Sequence, residues 1–210
     1  MKKISEILLA SSLLLLISAQ SNAKAPSFTY VEAEFVASGD INVSSGSLGL
    51  DVDTDGFALT ASAELGIFLI QLSQLELESD EFLGASVEDS ITTLGLGLTF
   101  ELPQTQLYGV IRGRYDNIDL NGGPFFEDDN VDGGIVGAEI GARVNLTDRF
   151  EINANIGRPD TDDGSSFGIG AQFFVTKNLG ITVDFNSIEA EQDDITVEFD
   201  TTSIGVRYTF

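Results

Sequence analysis

Histidine and cysteine, the side chains most often used as general base and thiol nucleophile near neutral pH, are both absent from these 210 residues. The reactive groups that remain are carboxylates: 34 Asp and Glu against 10 Lys and Arg, a formal charge of -24. One acidic run has the spacing of a metal loop. Asp51-x-Asp53-x-Asp55-Gly56 opens as a calcium-binding EF-hand loop does, with carboxylates at alternate positions and glycine at the sixth. The twelfth position, where such a loop needs a bidentate Glu, is Ser62, and a strand pattern follows instead of a helix. Asp51, Asp53 and Asp55 therefore offer a weak divalent site at most. Asp160 to Gly164 is a looser acidic knot.

A second group of charges is dispersed: Glu32, Glu34, Glu64, Arg112, Arg114, Glu139, Arg143, Glu151, Asp184 and Arg207. Each stands opposite an apolar residue in an alternating segment, so its role depends on which way the two faces of that segment point. Phe150, Ile152, Ala154 and Ile156 alternate with Glu151, Asn153 and Asn155, and Leu179, Ile181, Val183 and Phe185 alternate with Gly180, Thr182 and Asp184. Period-two hydrophobicity of this kind marks strands with unlike faces. It predicts ten strands, near 28–38, 57–65, 68–77, 91–100, 106–116, 134–144, 150–157, 166–175, 179–187 and 200–210, with eight as the alternative count. The register of 68–77 is not set by its pattern. Short turns fall near Gly66, Pro103, Asp148 and Lys177, and long connections over 39–56, 78–90, 117–133, 158–165 and 188–199. Short turns at one end and long loops at the other are the habit of transmembrane barrels.

The first residues add a compartment. Lys2 and Lys3 precede the apolar run Ile7–Ile17, and Ser21-Asn22-Ala23 supplies small residues for cleavage, which is the pattern of a secretory signal peptide. The expected division is a leader over 1–23 and one barrel domain over 24–210. A chain with no further long apolar run can cross a bilayer only as a closed barrel.

Composition decides between a soluble barrel and a membrane barrel. The polar faces are rich in Gly, Ser, Thr and Asn, which suits a crowded lumen better than a hydrated exterior. The apolar faces carry Phe68, Phe100, Phe150, Tyr208 and Phe210 near the short turns, and Phe35, Phe57, Tyr115, Phe167 and Phe185 near the long loops. Two aromatic belts are expected where strands meet two interfaces. The fold class is accordingly all-β, a transmembrane antiparallel up-and-down barrel.

The ending Ile204-Gly205-Val206-Arg207-Tyr208-Thr209-Phe210, with the inner turn Leu146-Thr147-Asp148-Arg149 and the Gly-x-Gly strands, resembles the small OmpA/OmpX-type outer-membrane β-barrels of Gram-negative bacteria. In that family the closing strand is an assembly signal, which here places Ile204, Val206, Tyr208 and Phe210 in contact with the barrel-assembly machinery. The resemblance implies residence in the cell outer membrane among lipid and lipopolysaccharide. It departs in strand count, since many of those barrels have eight.

Within such a barrel the ten dispersed charges face the lumen and must pair, because an unpaired charge in a narrow interior costs several kcal/mol. Arg207 is expected against Glu32 or Glu34, and Arg112 and Arg143 against Glu139 and Glu151. The expected function is structural or surface-directed, with acidic outer loops, no cofactor and no catalysis, and with divalent cations as partners at the loops. A small cation-preferring channel or specific porin-like transporter is the first alternative. An adhesin acting through its loops is the second, with Pro124-Phe125-Phe126 as an apolar handle. Nucleic acid is excluded as a partner: without Lys2, Lys3 and Glu6 of the leader, eight basic residues face 33 acidic ones.

Overall fold

A computed structural model describes residues 25–45, 48–79, 86–121, 129–158, 164–192 and 195–210. The leader, the Pro124-Phe125-Phe126 handle and the Asp160–Asp163 knot lie outside the described residues. Ten strands follow in chain order: β1 Tyr30–Ser45, β2 Leu48–Leu65, β3 Phe68–Ser79, β4 Ser86–Glu101, β5 Thr105–Asn121, β6 Asp129–Thr147, β7 Phe150–Arg158, β8 Ser165–Phe174, β9 Leu179–Gln192 and β10 Ile195–Thr209. Each pairs antiparallel with its sequence neighbour, and β1 pairs with β10 from Tyr30↔Thr209 to Ser45↔Ile195, so the sheet closes into an up-and-down barrel. Closure leaves no edge strand whose amides need another partner.

The short turns form as expected. Between β2 and β3 only Gly66 and Ile67 intervene, and Gly66 takes φ 68°, a left-handed conformation that glycine adopts without steric cost. At the next turn Leu102 and Thr105 exchange backbone hydrogen bonds at 2.7 and 3.3 Å. Arg149 lies at the β6–β7 turn, where its amide bonds the Thr147 hydroxyl at 3.1 Å.

The expected strand limits need correction at the other end. β1 runs to Ser45 instead of residue 38, β2 begins at Leu48 instead of 57, β6 begins at Asp129 instead of 134, and β10 begins at Ile195 instead of 200. The expected loops 39–56, 117–133 and 188–199 are therefore mostly ladder. The reason is a change of phase in the hydrophobic alternation. Along β3, Phe68, Ile70 and Leu72 point outward and are exposed, whereas Leu77 further up is buried inside at 3% exposure. Above Leu72 the outward positions are Gln74, Glu76 and Glu78. The pattern thus inverts within one strand, which is why 68–77 reads irregularly as a sequence.

The same inversion occurs around the barrel. A belt of outward apolar side chains includes Phe57, Leu59, Leu96, Ile140, Ile169, Val183 and Val206, all more than 40% exposed. Both aromatic groups named above lie exposed on this surface. Above it, the outward positions of the extended strands carry Asp40, Asp53, Asp55, Glu88, Asp119 and Glu198, all exposed, as an acidic collar. Inside the collar Val36, Leu77 and Ile91 pack together with Leu75 and Phe199. The collar end is thus apolar within and charged without, as a water-soluble barrel is, whereas the belt is apolar without.

The belt has the chemistry of a surface that faces hydrocarbon, so charge there should be penalised by depth. Ile169→Arg and Val183→Arg are expected to lower stability in lipid by about 2–4 kcal/mol each, whereas Asp55→Arg and Glu78→Arg, outward but in the collar, should cost less than about 1 kcal/mol. Denaturant unfolding of protein folded into lipid vesicles measures both, and equal penalties at all four positions would contradict the belt.

Candidate functional site

The lumen-facing parity of β1 carries Phe28, Tyr30, Glu32, Glu34 and Val36, alternating with outward Val31, Ala33 and Phe35. Extending that parity by two steps from Glu32 places Phe28 and Tyr30 inside as well, although neither aromatic carries the charge that marks Glu32 and Glu34 as lumenal. Phe28, just before β1, is 2% exposed and Tyr30 is 7% exposed, and they pack with Leu69 and Val110. Tyr108 closes on Phe28 edge to face, with ring centroids 5.0 Å apart.

This aromatic layer sits at the short-turn end and is held by two buried ion pairs. Arg207 on β10 donates to Glu32 Oε2 through Nη2 at 2.6 Å and through Nε at 3.0 Å, across the strand pair that closes the barrel. Arg143 on β6 donates to Glu151 on β7 at 2.7 Å, with only 4% and 1% of the two side chains exposed. Both guanidiniums stack on Tyr30, at 4.4 Å for Arg207 and 5.3 Å for Arg143, a cation–π arrangement strengthened by exclusion of water. Arg207 also donates to Gln172 Oε1 at 3.1 Å, and Arg143 to the Ser27 carbonyl at 2.8 Å, which ties the segment before β1 into the mouth of the barrel. Together these groups form a floor.

The remaining sequence-selected charges stand around and above the floor. Arg112 meets Glu139 at 2.9 Å, and Tyr108 donates its hydroxyl to the same carboxylate at 2.9 Å. Glu64 has no basic partner in the site; it accepts from Gln106 at 2.7 and 2.9 Å and from the Thr99 hydroxyl. Glu34 accepts from Ser203 at 2.7 Å, and Asp184 from Asn153 at 3.2 Å. Arg114 pairs with Asp116 two residues along its own strand. These neutral partners were not selected from sequence, because Gln, Asn, Ser and Thr on a polar strand face give no signal that separates a lumenal ligand from surface filler. Above the floor the lumen opens into a cavity of about 370 Å³.

The sequence-selected metal triplet is not assembled as a loop. Asp51, Asp53 and Asp55 fall within β2, where Asp53 pairs with Asp40 across the ladder. Extended backbone sets alternate residues roughly 6.5–7 Å apart and cannot wrap an ion as a turn of an EF-hand does. Asp53 and Asp55 are exposed on the collar.

On the lumen side at the level of the collar, Asp89 of β4 stands near Asp116 of β5, and burial first, then the Asp116 charge, pushes its pKa up to about 6 against the opposing pull of Arg114. Between about pH 4, the ordinary aspartate range, and pH 6 the folded chain holds a proton that the unfolded chain has released. Its contribution therefore favours folding fully below pH 4 and is lost as pH rises through 6. Asp89→Asn should remove that dependence: the stability difference between wild type and variant is expected to change from pH 4 to 6 and stay flat above, by denaturant midpoints. The floor yields a second expectation. Arg143→Met leaves Glu151 buried without its partner and should cost about 3–5 kcal/mol, whereas Arg143→Met with Glu151→Leu should recover most of that loss.

No protein-family model matches the chain, and no curated protein sequence does. Solved structures match in fold at low identity. The translocator domain of the autotransporter NalP from Neisseria meningitidis superposes with a TM-score of 0.52 at 11% identity, over 100% of this chain and 98% of that one. The outer membrane protease OmpT from Escherichia coli gives 0.51 at 11%, over 92% and 100%. Neisserial surface protein A gives 0.50 at 13%, over 88% and 98%. Autotransporter, protease and surface protein share the architecture, so the fold of this chain is that of the outer-membrane β-barrels.

Proposed function

We propose that the chain is an integral outer-membrane β-barrel with a structural, surface-directed role, closed to conduction and without catalysis. It is exported by the cleaved leader over 1–23 and inserted by the barrel-assembly machinery through Ile204, Val206, Tyr208 and Phe210. Lipid covers the apolar belt, the short turns lie in the periplasm, and the acidic collar stands at the lipopolysaccharide head groups. Divalent cations shared between collar carboxylates and lipid phosphates offset their mutual repulsion. Catalysis is left out because the chain has neither histidine nor thiol, and the most buried carboxylates, Glu32, Glu139 and Glu151, are each paired with a guanidinium.

The observation that carries this proposal is the floor at the short-turn end. A barrel of about eight strands is filled by its own side chains, and ten add modest room. Here that room is taken up at one end by Phe28, Tyr30 and the pairs Arg143–Glu151 and Arg207–Glu32. A small cation-preferring channel or specific transporter is the second reading, favoured by the cavity and by Arg112 and Glu139 on its wall.

Planar-bilayer recording separates the two. Wild-type protein is expected to give no steady conductance, and Phe28→Ala with Tyr30→Ala should open one. Steady wild-type current that shifts on Arg112→Ala or Glu139→Ala would replace the closed barrel with the channel.

A further inference from the structure

Three carboxylates gather on the β1–β9 side of the lumen, at and just above the floor. Carboxylate oxygens of Glu32 and Glu34 on β1 and of Asp184 on β9 lie within 4.8 Å of one another. Only Glu32 touches a cation, through Oε2; its Oε1 is buried without a hydrogen-bond partner, and so is Oδ2 of Asp184. Arg207 is shared between Glu32 at 2.6 Å and Glu151 at 3.8 Å, and no ion pair of Glu34 or Asp184 is found among the described residues. Carboxylates buried without a cation are costly to ionise unless something compensates them.

A separate feature points into the same place. Thr182 is 1% exposed, and its hydroxyl has no hydrogen-bond partner. It stands one strand from Glu34, with Gly205 between them in the ladder. A Cβ on Gly205 would lie 2.7 Å from both Thr182 Oγ1 and Glu34 Cγ, so glycine there keeps the space between the two side chains open.

We propose that Glu32, Glu34, Asp184 and Thr182 form a lumenal site for a hard cation of the size and charge of calcium. Calcium takes oxygen ligands at 2.3–2.6 Å in flexible geometry, and three carboxylate oxygens within 4.8 Å of one another can all reach one such ion. Magnesium demands near-ideal octahedral geometry at 2.0–2.1 Å and gives up its water reluctantly. Zinc prefers nitrogen and sulfur donors, which a chain without histidine or cysteine does not supply. The bound ion joins β1 to β9 across β10 and so reinforces the closing seam. Glu32, Glu34 and Asp184 all line the cavity, which gives the ion its path. The site is separate from the exposed collar acids on the outside of the barrel.

Equilibrium binding of Ca²⁺ to the full chain refolded in detergent tests the site. Wild type should bind one ion in preference to Mg²⁺, and Ca²⁺ should raise its thermal unfolding midpoint. Glu34→Gln, Asp184→Asn and the near-isosteric Thr182→Val should each weaken that site by about tenfold or more, and Asp53→Asn with Asp55→Asn should leave it unchanged. Folding of each variant is read from its heat-modifiable gel mobility; Thr182→Val removes a hydroxyl without changing volume and carries the test if a carboxylate variant fails to fold. Binding that is equal in wild type and in the folded lumenal variants, or that disappears only with the Asp53 and Asp55 substitutions, overturns the proposal.

Discussion

Everything in this molecule depends on closure of one backbone ladder between its first and last strands. Until β1 meets β10, both carry a row of unpaired amides and carbonyls, and the outward apolar belt lies beside an open polar edge. After closure every strand has two neighbours, and the belt becomes a continuous apolar surface with no exposed backbone. The side chains at that seam reinforce it. Arg207 and Glu32 face each other across β10 and β1, and Glu34 and Ser203 do so two steps further up. The last strand is therefore the element whose pairing gives every other strand its final environment.

Closure also creates an inside to be filled, largely by polar groups with a small apolar layer near the belt and by an apolar cluster near the collar. The inversion along β3 displays both demands in twelve residues. Where the outside is apolar, the inside holds paired charges, amides and hydroxyls around the small apolar layer of Phe28, Tyr30, Leu69 and Val110. Where the outside is acidic, the inside holds Val36, Leu75, Leu77, Ile91 and Phe199. Each level of the cylinder thus obeys the same rule, that one face must match the surrounding medium and the other must satisfy itself. The extended strands carry the ladder out of the belt because backbone pairing does not require a lipid-facing side.

The interior is not uniformly compensated. Its floor satisfies nearly every strong charge by geometry, with two guanidiniums stacked on one tyrosine and each held by a carboxylate. At its upper side one oxygen each of Glu32, Asp184 and Thr182 is left without a hydrogen-bond partner. A barrel with only a structural role would gain from neutral residues at those positions, so retaining acids there is a cost that a bound cation removes.

Much of this architecture was legible in the sequence, because strand periodicity reports one strand at a time and needs no knowledge of its neighbours. The ten strands, their short turns and the outward belt follow from alternate positions alone. The partnership of Arg207 with the acids of β1 was legible too, since first and last strands of a closed barrel must adjoin. Three matters were decided only by the tertiary structure. The ladder extends into the collar, where the alternation changes phase and each strand read singly looks irregular. Phe28 and Tyr30 become a floor because two arginines from distant strands converge on them. Thr182 faces Glu34 across Gly205 because the stagger of β1, β10 and β9 brings those three residues level. Stagger and radius belong to the closed cylinder, and no single strand carries information about either.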